Sequence, residues 1–149
     1  MIINNDTMYT FCEIIRQLEP DKLLDIGLFY KAIGGVARNI LDFDIPESCY
    51  ITGVTSEDIS KLGIYNTIYN RIIDNNKLIE CGYKEYRLAI MLSDSVSEED
   101  KPGLMAASLQ AADYILLYKT DVKYLPDDYN KDAVKVINDE YCLVPADNF

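Results

Sequence analysis

Apolar residues along the chain follow two rhythms that alternate from segment to segment. Met8, Phe11, Cys12, Ile15 and Leu18 fall at helical spacing, predicting a helix capped by Asp6 or Thr7 and ended by Glu19-Pro20-Asp21. Residues 22–27 (Lys-Leu-Leu-Asp-Ile-Gly) form a short apolar run that reads as a buried strand. Ile33, Val36, Ala37, Ile40 and Leu41 then recur at i, i+3, i+4, i+7 and i+8, one face of an amphipathic helix and the clearest periodic signal in the chain. Ile45-Pro46-Glu47-Ser48 breaks it, and residues 49–54 read as a second strand. Thr55-Ser56-Glu57-Asp58 opens a short helix before Gly63, with two acids in its first turn.

The β-branched and aromatic segment 65–70 predicts a third strand, whereas residues 71–84 show no dominant period. Residues 86–92 form a stronger strand. Ser97-Glu98-Glu99-Asp100 has the pattern of a capping box, opening a helix that runs to about Ala112. Residues 114–118 are the next strand, and Pro126-Asp127-Asp128 marks a turn. A short helix over 131–138 and a strand over 141–144 close the chain. Strands that are apolar throughout and separated by helices predict an α/β fold in a single domain over residues 1–149. The sheet is expected to be open and mostly parallel, with helices on both faces.

Charge narrows the function more than length does. Asp and Glu outnumber Lys and Arg by 25 to 14, for a net charge of −11. Nucleic-acid binding draws on phosphate neutralisation, so neither nucleic acid nor an anionic membrane is an expected partner. Histidine is absent, which removes the commonest general base and every Ser-His-Asp or Cys-His arrangement. Cys12, Cys49, Cys81 and Cys142 lie too far apart for a CxxC metal site and are expected as reduced, mostly buried small hydrophobes. The first residues carry no basic and apolar leader and no run reaches membrane-helix length, so the expected location is the cytoplasm. Neither a GxGxxG fingerprint nor a GxxxxGK[ST] loop is present.

In an open parallel sheet, ligands gather at the carboxyl ends of the strands near the switch in strand order. The relevant stretch is Asp25-Ile26-Gly27-Leu28-Phe29-Tyr30-Lys31. With Leu23-Leu24 before it, this stretch resembles the first motif of the class I S-adenosylmethionine-dependent methyltransferases, in which an acid and a glycine-rich turn follow the first strand. The resemblance spans residues 21–120 and implies a Rossmann-like three-layer sandwich with S-adenosylmethionine as cofactor. The residues it implies at the cofactor are Asp25, Gly27, Thr55, Glu57 and Asp94; no metal ligand and no defined catalytic group follow from it.

Several positions depart from that family. Phe29 and Lys31 stand where it carries further glycines. Thr55 stands where an acid usually holds the cofactor ribose, with Glu57 and Asp58 just beyond. Ser93-Asp94-Ser95 is only a loose counterpart of the motif after the fourth strand. Asp25 equally fits a strand-end residue that caps the following turn, and an aromatic Phe29 or Tyr30 is expected to fill the groove rather than stack on an adenine. Gly34-Gly35 fits tight helix–sheet packing. Lys31, Arg38 and Arg71 are candidate anion-binding groups, each more simply a solvated surface residue. The tyrosines at 50, 65, 69, 83, 86, 114, 118 and 124 fall in or beside predicted strands, where tyrosine serves structure or interfaces.

Three readings follow. The preferred one is a divergent, non-catalytic methyltransferase-like domain used for protein interaction, self-association or assembly. The alternative is an S-adenosylmethionine-dependent methyltransferase acting on a small molecule or a protein, in which catalysis is mainly positioning and needs no histidine. A small-molecule sensor on the same scaffold is a third.

Overall fold

A computed structural model describes residues 5–29, 48–63 and 69–147. The amphipathic pattern from Ile33 to Leu41, the Gly34-Gly35 pair, Tyr30, Lys31 and Arg38 lie outside the described residues, as do Tyr65 and the rest of 64–68.

The elements are helix α1 (Asn5–Leu18), strands β1 (Lys22–Ile26), β2 (Tyr50–Thr55), β3 (Arg71–Asp74) and β4 (Tyr86–Met91), helix α2 (Lys101–Ala111), and strands β5 (Ala112–Tyr118), β6 (Lys135–Val136) and β7 (Tyr141–Pro145). Together the strands form a seven-stranded sheet in the order β3-β2-β1-β4-β5-β7-β6. The first five of these are parallel, and β7 runs antiparallel to both β5 and β6. From β1 the chain moves outward through β2 to β3, then returns to β4 on the other side of β1. The switch point therefore lies between β1 and β4, and Asp25 sits there, in register with Gly53 of β2 and Ile90 of β4.

Alternation along the strands divides the core between the two faces. Leu23, Leu88, Ile90 and Leu116 pack with Phe11, Ile14 and Ile15 of α1. Their neighbours Leu24, Ala89, Met91, Ile115 and Leu117 pack with Leu104, Met105 and Leu109 of α2. This is the predicted mostly parallel sheet with helices on both faces. Runs that are apolar at every position are what such double coverage requires.

Three boundaries differ from the sequence reading. Strand β3, Arg71–Asp74, lies in the stretch that showed no dominant period, and of the strand predicted over 65–70 only Tyr69 and Asn70 are described, neither of them in a strand: the Asn70 side chain accepts from Ile51 N at 2.8 Å, and Asn70 N donates to Ile51 O at 2.9 Å. These bonds fasten the chain to the start of β2 before β3 begins. Helix α2 starts at Lys101 with Pro102 behind it. The Ser97 hydroxyl does accept from Asp100 N at 3.3 Å, but it closes a turn that precedes the helix. The helix expected over 131–138 is a 3₁₀ turn, Lys131–Ala133, followed by β6. Asn138 ends that strand by accepting from both Glu140 N and Tyr141 N, which turns the chain into β7.

Cys12, Cys49 and Cys142 are buried and Cys81 is partly exposed; burial pushes the Cys49 thiol up to about 11. No helix of the described residues is long and apolar enough to cross a membrane.

Candidate functional site

The carboxyl ends of β1, β2 and β4 converge on the turn after β1. Gly27 continues the ladder, its N–H donating to Val54 O at 2.7 Å, and then turns with φ +85°, a conformation open to glycine at little cost. Leu28 follows at φ +57°, where a side chain is strained. This pair of left-handed residues aims the Phe29 amide back at Asp25.

Asp25 is fully buried. One carboxylate oxygen accepts from Phe29 N at 2.8 Å, which caps the turn, and the other accepts from the Tyr69 hydroxyl at 2.6 Å. A buried carboxylate is tolerated only when its oxygens are satisfied. Here main chain and a phenol 44 residues away supply that.

The two glycines of the site are used by the chain itself. A Cβ at Gly27 would lie 2.6 Å from Val96 Cγ2 and 2.9 Å from Ser93 Cβ. One at Gly53 would lie 2.6 Å from Leu28 Cδ2 and 3.1 Å from the Tyr69 ring. The close approach that glycine allows is thus taken by Leu28, Tyr69, Ser93 and Val96. Phe29 departs from expectation: it does not fill the groove but enters the core beneath α1, its ring 5.7 Å from that of Phe11.

On the β2 side, Thr55 is buried and its hydroxyl accepts from Glu57 N at 3.0 Å. Glu57 is exposed, and Asp58 caps the 3₁₀ helix Ile59–Lys61 by accepting from Ser60 N. On the β4 side, Asp94 is exposed, while its two neighbours close the turn. The Ser95 hydroxyl donates to Gly27 O at 2.7 Å and lies 2.7 Å from the Ser93 hydroxyl. Tyr118, at the end of β5, donates to Leu92 O at 3.0 Å. Burial, with Tyr141 and Asp94 nearby, pushes its phenol up to about 12, so it stays protonated.

The fold therefore brings Asp25, Gly27 and Thr55 together at adjoining strand ends, and leaves Glu57 and Asp94 as exposed carboxylates on the rim. Sequence reasoning missed Leu28, Tyr69, Val96 and the hydroxyls of Ser93 and Ser95. The serines lay within a motif already singled out for its acid. Nothing local marks Tyr69 as the partner of Asp25. Arg71, a candidate anion-binding group, instead lies 3.4 Å from the Tyr86 hydroxyl and 3.8 Å from Cys81 Sγ.

No protein-family model and no curated protein sequence matches the chain. Solved structures do. The SAH-bound methyltransferase PaMTH1 of Podospora anserina superposes with a TM-score of 0.60 at 12% identity, over 97% of this chain and 80% of that one. A methyltransferase from Geobacter sulfurreducens gives 0.61 at 10% identity, over 95% and 79%. The O-methyltransferase TomG of Streptomyces achromogenes, in complex with SAM, gives 0.58 at 10%, over 95% and 80%. The fold is that of the class I methyltransferases. Identities this low speak for the fold alone. What the methyltransferase-like domain binds has to be argued from its own residues.

Among the described residues, those of this turn are a poor fit for S-adenosylmethionine. A cofactor cradle needs open space over its glycines and an acid for the ribose. Here the space over Gly27 and Gly53 holds side chains, and the end of β2 offers a buried threonine whose hydroxyl is engaged.

Proposed function

We propose that this is a non-catalytic methyltransferase-like domain that serves protein recognition. One observation carries the reading: the acid of the first motif, Asp25, has both oxygens committed to the fold, to Phe29 N and to the Tyr69 hydroxyl, at zero exposure. A carboxylate so placed caps a turn and braces the sheet rather than meeting a ligand. Thr55 in place of the ribose acid and Leu28 over Gly53 support the same reading.

Calorimetric titration of the whole chain with S-adenosylmethionine and S-adenosylhomocysteine tests it. The expected result is no saturable heat at millimolar ligand, an affinity weaker than about −4 kcal/mol. Saturation at micromolar ligand, about −8 kcal/mol, would overturn the reading and restore methyl transfer as the function.

A further inference from the structure

We infer that the groove between α2 and the 3₁₀ helix Asn75–Glu80 is the docking site for a basic amphipathic helix of a partner protein. The inference rests on the non-catalytic reading above and supplies its partner. The crossover from β3 to β4 is unusually spare: the 3₁₀ helix and the turn after it are all that lies between Asp74 and Tyr86. Parallel crossovers ordinarily hold a full helix. Leu78 of the short segment is buried against the sheet, but among the described residues nothing covers the outer flank of α2, which leaves a groove of about 610 Å³.

The composition of that flank is not that of a solvent-facing helix surface. After Lys101 no charged residue occurs through Ala111, although a surface helix ordinarily carries charges on its outer side. The groove is lined by Gly103, Ala106 and Ala107 on one wall and by Ile79 on the other, and Ile79 is 80% exposed. Among the described residues, a Cβ at Gly103 would meet nothing within 4 Å. Gly103 stands in the first turn of α2, where its missing side chain leaves room for a close approach from outside. Small residues on one helix let a second helix axis come near.

Charge selects the occupant. The charged residues lining the groove, Glu99 and Asp100, are both acids and stand at one end of it. The whole chain carries −11, so a second copy would bring like charge to the same rim. A basic helix complements it, with a leucine-sized residue against Ile79 and Ala107 and lysine or arginine beside Glu99 and Asp100. An occupant as long as α2 needs about three turns.

The test uses the full chain and a fluorescein-labelled peptide of about 14 residues, leucine on one face and lysine on the other. Binding in the micromolar range at physiological salt is expected, with hydrogen-exchange protection over residues 75–80 and 99–110. Ile79→Asp and Gly103→Leu, both at exposed positions and checked by thermal melting, are each expected to weaken it about tenfold or more. A peptide of the same composition with its two faces scrambled is expected to bind as weakly. No binding, or binding that neither variant nor scrambling changes, would overturn the proposal. So would a dimer of the chain dissolved by either variant, since it would put a second copy in the groove. Cofactor saturation in the calorimetric titration would end the non-catalytic reading whatever the peptide does, so the two failures are told apart.

Discussion

Asp25→Ala is expected to lower folding stability by about 3 kcal/mol, because it leaves the buried Phe29 amide and Tyr69 hydroxyl without this acceptor and opens a void. Asp25→Asn keeps one acceptor oxygen and is expected to cost about 1 kcal/mol, as is Tyr69→Phe. Urea unfolding of the three variants at neutral pH measures these differences. The sign separates the two readings of the acid. Residues kept for ligand binding are often strained or underused in the free protein, so removing them tends to be neutral or stabilising. An Asp25→Ala variant as stable as the parent would therefore point to an acid held for a ligand. A large loss marks a brace.

Lys84→Met is the second substitution expected to cost about 3 kcal/mol. The Lys84 ammonium donates to the carbonyls of Leu109, of Ala112 at 3.3 Å and of Ala146 at 2.6 Å. One cation thereby joins the turn before β4 to the end of α2 and the end of β7. Its main-chain N–H also donates to Gln110 O at 2.7 Å. Burial lowers the lysine pKa, so part of the gain from these bonds is spent on desolvation, and the expected loss is smaller than three separate charged bonds would give. Lys84→Arg is not expected to restore the loss, because a planar guanidinium does not reproduce a pyramid of donors on three converging carbonyls. Urea midpoints of the two variants check this, and a Lys84→Met protein within about 0.5 kcal/mol of the parent would remove the brace from the account.

The architecture was legible because it is written in local pattern. Buried strands such as Leu23–Leu24 and Leu88–Met91 are apolar at each step, and the stretch from Leu23 to Gly27 carries enough of a family motif to place the switch point. Where pattern misled, a side chain had made a long-range bond. At the end of a stretch of strand composition Asn70 is spent on Ile51, and β3 begins one residue later, opening with an arginine. The two-residue β6 is too short to show a period and is held by its turn with Asn138.

The candidate site was half legible for the same reason. Asp25, Gly27 and Thr55 could be placed from their position after a strand. Tyr69 could not, because only the folded sheet brings it to Asp25. Phe29 was placed in the right turn but on the wrong side of it: the left-handed Leu28 sends the ring into the core beneath α1 and sends its own side chain over Gly53.

The methyltransferase-like turn is closed by the chain's own side chains. Amide NMR on the isotopically labelled chain tests this most directly, with S-adenosylmethionine added to millimolar concentration. The resonances of Gly27, Gly53 and Thr55 are expected to stay where they are. Saturable shifts at these three amides would contradict it and show that the cradle opens to the cofactor.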